Sequence, residues 1–372
     1  MKIGVDIRIL SSGFSGIPNY LLNILGQLQT IDTVNDYFLF AQPGFKYSLT
    51  NTRWKIIYTK PHVSMTLFTQ FFLPWELRKH KITIFWATEY ICPLWNFGRV
   101  KFLVSVYDLT FVHYPETMPF KRRWITKILS VLSMRKANKI ITISNFIALD
   151  ILTTFRGTKK SKIVIIPCAA PEWCLPPSYA PEQRGEQLLF IGNFEPRKNI
   201  LNIIKALELI KAENQLDLKL SIAGSHGWNN AHIHNHIQKS TVNPNISFLG
   251  FLESAQLQQE LLSCKSLLFP SIYEGFGIPV LEALLLDCIV ITSENSAMEE
   301  VAENGAIYTD PQKPADIADK ILSVYTPDFD RTKYLSNKQR ILAKYSWHKN
   351  AQLLLNELNQ MLADPSRAGA ME

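Results

Sequence analysis

A chain of 372 residues is too long for one ordinary core, so two domains are expected. Its apolar share of 47% and charged share of 19% describe a folded globular protein and exclude a disordered one. A net charge of +7 and a pI near 9.0 favour anionic partners, whether phosphates, nucleic acid or an acidic membrane surface.

The five cysteines (Cys92, Cys168, Cys174, Cys264, Cys288) are scattered and form no C-x-x-C pair. That spacing implies reduced thiols in a cytoplasmic setting and argues against a zinc or disulfide framework. The opening MKIGVDIRIL lacks the long apolar stretch and cleavage site of a signal peptide and reads as a buried first strand. No run approaches the roughly 20 apolar residues of a membrane-spanning helix, and MTLFTQFFLPW is short and broken by Pro74. A soluble chain is expected, with contact at a membrane surface left open.

Along the chain, IGVDI, YFLFA, KIIY, ITIFWA, FLVSV, KIITIS and KIVIIP read as strands in the first half. In the second half LLFIGN, LKLSIAG, ISFLG, SLLFPS, CIVITS and AIYTD do so. Longer helical patterns separate them, which implies βαβ units and parallel sheets. The proline-rich PCAAPEWCLPPSYAPEQRG between the halves cannot form a central strand or helix and reads as a linker. The expected division is a first Rossmann-like domain over 1–170, a linker over 171–185, a second Rossmann-like domain over 186–345, and a final 346–372 segment. That last segment is expected to be a helix packing back on the first domain, with a polar tail. Two doubly wound, Rossmann-like α/β domains would then face a cleft, with ligands beyond the carboxyl ends of the strands.

The loops after strands carry the candidate chemistry. DIRILSSGFSGIPNYLLNIL runs from a strand through Gly13 and Gly16 to a helix start near Pro18, either an anion cradle or a simple tight turn. Tyr107 and Asp108 follow the strand FLVSV, where an acid is a site candidate or a turn carboxylate. Arg197 and Lys198 stand between a strand and a helix start, where two cations oppose the helix dipole. An anionic ligand would account for them, since arginine offers a forked donor set and lysine a point charge.

In SIYEGFGIPVLEALLLD, Gly275 and Gly277 read as a loop and Pro279 as the first turn of a helix, with Glu274 on the loop and Glu282 in or after that turn. The histidines of SHGWNNAHIHNHIQ place only His232 and His236 on one helical face, which favours a solvated helix over a metal site. FKRRWITKILSVLSMRKANK is basic without an acid, with Trp124, Ile128 and Leu132 at helical spacing. It can lie on an anionic membrane or pack as an ordinary core-facing helix, and it lacks the motifs of a nucleic-acid binder.

Together, EGFGIPVLEAL, IGNFEPRKNI, LKLSIAGSHGW, SLLFPSIYEGFG and EEVAENGAIYTDP resemble family 4 of the retaining glycosyltransferases, over nearly the whole chain and in order. The resemblance implies the GT-B fold and a nucleotide-sugar donor. It implies that Glu274 meets the hydroxyls of the donor sugar, that Glu282 grips the ribose diol, and that Arg197 and Lys198 hold the diphosphate. Backbone N–H groups at Gly16 and from Gly275 through Phe276 and Gly277 to Ile278 would add donors, and Asp108 with Tyr107 would complete the catalytic set.

No cofactor or metal is expected. The expected donor is GDP-mannose and the acceptor a glycan or lipid-linked glycan of surface polysaccharide. Peripheral inner-membrane contact is expected through 120–139, and no nucleic acid partner. A nucleotide-sugar-binding pseudoenzyme or partner subunit is the alternative. Three departures from the family pattern stand out: Tyr107 where His is usual, with His113 a nearby substitute; Gly16-Ile17-Pro18-Asn19 where G-I-G-R is usual; and Asp287-Cys288-Ile289 in place of G-x-P.

Overall fold

The apolar runs of the sequence become strands because, in the interior of a parallel sheet covered on both faces, neither face of a strand meets water; the edge strands are more exposed. A computed structural model describes residues 1–12, 16–59, 64–96, 100–115, 120–174, 184–224, 231–335 and 338–363. The first sheet contains β1 (Lys2–Asp6), β2 (Asp36–Ala41), β3 (Trp54–Tyr58), β4 (Ile84–Ala87), β5 (Lys101–Ser105), β6 (Lys139–Thr142) and β7 (Ile163–Ile165). Their order across the sheet is β3-β2-β1-β4-β5-β6-β7, with all pairs parallel.

The second sheet contains β8 (Leu188–Ile191), β9 (Leu220–Ala223), β10 (Ile246–Gly250), β11 (Ser266–Phe269), β12 (Ile289–Ser293) and β13 (Ile307–Thr309), ordered β10-β9-β8-β11-β12-β13. The two parallel sheets are of the Rossmann-like α/β type expected.

Both sheets grow outward from a central pair. In the first, the chain leaves β1 toward β2 and later returns to lay β4 on its other side, with Val5 opposite Trp86. In the second, β8 is flanked by β9 and then by β11, with Ser266 opposite Leu188. Such reversals open a crevice at the carboxyl ends of the central strands, where doubly wound folds take their ligands.

The chain divides into two compact units, Met1–Cys168 together with the segment from Ser346, and Ala169–Tyr345. In the first, Val5, Phe40, Phe85, Trp86 and Phe102 are fully or almost fully buried. In the second, Phe190, Ile204, Ile222, Leu268 and Ile291 form the centre of the core. The terminal helix Trp347–Ala363 belongs to the first unit: Trp347 meets Tyr20 edge-on at 5.7 Å, Asn350 donates to the Pro167 carbonyl at 2.8 Å, and Lys139 pairs with Glu357 at 2.9 Å. Of the linker expected over 171–185, residues 175–183 lie outside the described residues; Glu172–Cys174 form a single 3-10 turn.

Candidate active site

In the second unit the crevice between β8 and β11 is built from two loops stitched together. After β8 the chain makes a 3-10 turn over Pro196–Lys198, and Asn199 then turns it into the next helix with φ of 65°. Asparagine tolerates that left-handed conformation better than most residues. Its amide also donates to the carbonyls of Pro270 and Pro311, at 2.9 and 2.6 Å. After β11, Ile272 N–H donates to the Arg197 carbonyl at 2.8 Å, and Arg197 Nη1 donates to the Tyr273 carbonyl at 3.3 Å.

These bonds bring the charged groups together. Glu274 Oε1 lies 2.6 Å from Lys198 Nζ and 3.0 Å from Arg197 Nη1. Arg197 Nε is held from the other side by Glu195 Oε2 at 2.9 Å. Lys198 also sits over the Phe269 ring, 5.0 Å from its centroid. Glu274 is buried, which pushes its pKa up; the attraction of Arg197 and then Lys198 outweighs that and holds it below the ordinary carboxylate range.

Glu282 lies in the helix Ile278–Leu285 and is also buried. Burial pushes its carboxyl up to about 8. The thiol of Cys174 is raised chiefly by its own burial and further by the charge of Glu282, which puts the two groups in proximity.

The turn between the two glutamates is tightly specified. Gly277 caps the helix with φ of 100° and ψ of 57°, and a Cβ on it would lie 2.7 Å from Met298 Cγ. Only glycine meets both demands. Phe276 is buried edge-on to Tyr345 at 5.3 Å, Gly275 is half-buried on the loop, and Ile278 begins the helix, with Pro279 in its first turn. Asp287 takes φ of 53°, at the place where the family pattern has glycine. Its carboxylate is pinned by Lys338 Nζ at 2.6 Å, so this departure is absorbed by packing and charge.

In the first unit, Asp108 Oδ1 accepts from Thr110 N–H at 3.0 Å and Tyr90 hydroxyl at 3.2 Å, which fixes it at the start of a short helix, Thr110–His113. It borders a cavity of 730 Å³, also lined by Asp6, Arg8, Glu89 and Tyr90. That cavity lies at the carboxyl ends of β1, β4 and β5, the reversal point of the first sheet. Arg8 is buried, with Nε on Asp6 Oδ1 at 2.8 Å, Nη2 on Thr69 Oγ1 at 2.6 Å and Nη1 on the Met65 carbonyl at 3.0 Å.

Tyr107 does not face this cavity's lining set. It is buried, edge-on to Tyr20 at 5.5 Å and to Tyr90 at 6.3 Å. Its hydroxyl has no hydrogen-bond partner of good geometry, although Ser105, whose Oγ accepts the Trp86 indole N–H at 2.9 Å, lies near it. The aromatic rings around it hold the side chain in the core, whereas Asp108 borders the cavity. His113 Nε2 is paired with the Asp150 carboxylate, at 2.9 and 3.0 Å. Gly16 is exposed at the start of the helix Gly16–Ile31, with open space where a Cβ would stand, and Pro18 occupies the first turn, where its missing N–H costs no hydrogen bond.

Sequence reading did not single out Glu195, Asn199, Asp6, Arg8 or Glu89. Each is an ordinary residue near a strand end, and only the strand order brings it to a crevice. Of the histidine-rich stretch, residues 225–230 lie outside the described residues; His234 stacks on Phe194 at 4.8 Å and His236 meets Glu208 at 3.4 Å. Among the described residues no group of three His, Cys, Asp or Glu side chains is arranged to hold a metal ion, and no helix is long and apolar enough to cross a membrane.

Residues 175–341 match the family described as glycosyl transferases group 1. The chain is 27% identical over 294 residues to O-antigen chain mannosyltransferase B of Escherichia coli, covering 76% of this chain and 75% of the relative. It is 23% identical over 263 residues to O-antigen chain mannosyltransferase RfbU of Salmonella typhimurium, covering 68% of each. Its fold is that of sucrose-phosphate synthase from Thermosynechococcus elongatus, with TM-score 0.76 at 17% identity over 97% of this chain and 99% of that one. Anabaena HepE, solved in complex with UDP and glucose, is similar at TM-score 0.70 and 16% identity over 96% and 99% of the two chains.

Proposed function

Since residues 175–341 match the family described as glycosyl transferases group 1 and the chain has the GT-B fold, we propose that it is a retaining, nucleotide-sugar-dependent hexosyltransferase of O-antigen or capsule synthesis. The observation that carries this reading is the Arg197–Lys198–Glu274 cluster at the reversal point between β8 and β11. Two cations anchored by backbone bonds suit a diphosphate, and preorganised cations stabilise the charge that develops on a departing nucleotide. Glu274 would then turn to the sugar hydroxyls, and Glu282 would take the ribose diol.

Transfer proceeds on one face of the sugar. The acceptor oxygen bonds to the anomeric carbon as the bond to the diphosphate oxygen breaks, and the acceptor proton passes to the departing phosphate. Asp108, at the cavity of the first unit, orients the acceptor. Arg197 and Lys198 take the part a metal plays elsewhere, so none is needed. The donor is GDP-mannose, a reading supported by the mannosyltransferase names of two relatives, and the acceptor is a lipid-linked glycan met at the membrane surface through 120–139.

The testing experiment is calorimetric titration with GDP, UDP, ADP and their sugar conjugates, with Lys198→Ala as control, followed by anomeric analysis of the product. Binding of guanine nucleotides lost in the variant, with a retained anomer, is expected. An inverted product would overturn the mechanism. A second reading, a nucleotide-sugar-binding partner subunit, draws on the burial of Tyr107 where the family pattern has a catalytic His; it predicts donor binding without release of nucleotide when acceptor is added.

A further inference from the structure

The helix Phe120–Lys136 is built inside out. Its buried side includes Ser130 and Ser133, both fully enclosed, and Met134. Its outer side carries Trp124, Ile125, Ile128 and Leu132, exposed by 46, 52, 54 and 38%. Scattered exposed apolar residues are ordinary, but a helix that buries serine and exposes tryptophan, isoleucine and leucine on one stripe reverses the usual choice.

A second helical run has the same character. It comprises Met65–Leu67, a π turn over Phe68–Phe72, and Leu73–Lys79. Leu67, Phe71 and Trp75 recur every fourth residue, exposed by 52, 61 and 58%.

The two runs are fastened to one segment. Gln70 Nε2 donates to the Cys92 carbonyl at 3.1 Å and its Oε1 accepts from Leu94 N–H at 3.0 Å. From the other helix, Ser133 Oγ accepts from Cys92 N–H at 3.0 Å and Lys136 Nζ donates to the Leu94 carbonyl at 2.6 Å. The next residue, Trp95, is 65% exposed. Leu67 and Ile125 both line the 730 Å³ cavity that Asp108 borders.

Charge selects the partner. Arg123 and Lys127 flank the Trp124 ring at 5.9 and 5.8 Å, Arg135 is exposed at the far end, and 120–139 contains no acid. The acid of the other run, Glu76, is engaged by Lys79 at 3.5 Å and His80 at 3.4 Å. A second copy would bring basic groups against basic groups. A bilayer with anionic headgroups accepts both the cations and, beneath them, the apolar side chains, with tryptophan favoured at the boundary.

We propose that these two helices and the Cys92–Trp95 segment form one docking surface for an anionic lipid bilayer, with the rim of the first unit's cavity held at the headgroup level. The surface widens the 120–139 contact of the proposed function and rests on that reading for its lipid-linked acceptor. Docking itself needs no donor, so its failure and that of the transferase reading are separable.

The test is flotation of the full chain with phosphatidylcholine vesicles and with equimolar phosphatidylcholine–phosphatidylglycerol vesicles. Three double variants are compared: Phe71→Ser with Trp75→Ser, Ile128→Ser with Leu132→Ser, and Arg123→Gln with Lys127→Gln. Leu216→Ser, a 42% exposed leucine of the second unit, is the control. Binding to the anionic vesicles, reduced about tenfold or more by each double variant and unchanged in the control, is expected. Unchanged melting and GDP binding in the double variants exclude misfolding. No binding, binding insensitive to the apolar variants, or self-association abolished by those same variants would overturn the proposal.

Discussion

Lys198 Nζ stands 2.6 Å from Glu274 Oε1, so the cation assigned to the diphosphate is already held by the carboxylate assigned to the sugar. With Arg197 on the same oxygen and Glu195 behind it, two cations face two acids in the crevice of the second unit. On the proposed reading, a diphosphate would displace Glu274 from the cations, and displacement would free that carboxylate for the sugar. Glu274→Gln should therefore leave GDP affinity equal or tighter while lowering kcat at least about a hundredfold, the split expected for a group used in the transition state. Parallel calorimetry and initial rates measure both; a weaker GDP affinity with unchanged kcat would contradict the assignment.

If Glu282 takes the ribose diol as proposed, nucleotide binding should depend on pH. Its carboxyl is raised to about 8, so the folded protein holds a proton there at neutral pH, whereas a ribose diol donates to the ionised form. Below pH 8 binding must release that proton, and affinity should rise with pH by up to about tenfold per pH unit before levelling. Glu282→Gln should flatten this profile and abolish the proton release seen by calorimetry in buffers of different ionisation enthalpy.

The same group sets a stability trend of known sign. Its folded pKa lies above the unfolded value, so its contribution is fully present below about pH 4.5 and is lost as pH rises toward 8. Glu282→Gln should raise Tm relative to wild type, with a gain larger at pH 8 than at pH 5. Thermal melts at the two pH values decide it, and an equal gain at both would place the cause elsewhere.

Gly277→Ala should cost roughly 2–4 kcal/mol, combining left-handed strain with the collision at Met298. Because the turn positions both glutamates, donor affinity should fall with stability. Gly16→Ala, at an open site, should leave stability nearly unchanged, and chemical denaturation of the pair gives the contrast.

Chelation tests the electrostatics. If Arg197 and Lys198 carry the diphosphate, activity should survive extensive dialysis against EDTA. Loss of turnover restored by a divalent cation would require a metal between the donor and this cluster.

Much of the fold was legible because the strands of a parallel sheet, buried on both faces at its centre, write themselves as short apolar runs. β1 through β13 each coincide with one of those runs, from IGVDI to AIYTD. The strand order was not written locally: nothing in KIGVD or IFWAT states that β1 and β4 are neighbours. For that reason Asp6, Arg8 and Glu89 went unread, while Arg197, Lys198, Glu274 and Glu282 sat in recognisable local patterns. Strand-end position does not reveal whether a side chain turns to the crevice or to the core, and Tyr107 is buried among aromatic rings. In the helix Phe120–Lys136, periodicity located the apolar stripe but not its direction, which depends on what Cys92 and Leu94 bind.

The first unit is interrupted. Its final helix, which meets Tyr20 through Trp347, is separated from Cys168 by the whole of the second unit. During synthesis at about 5–20 residues per second, the ribosome must translate the entire second unit before that helix can emerge, a delay on the order of ten to forty seconds. For that interval Tyr20 and its neighbours wait uncovered while the second unit, contiguous in the chain, is free to fold. The first unit can therefore complete its packing only after the whole of the second has been synthesised.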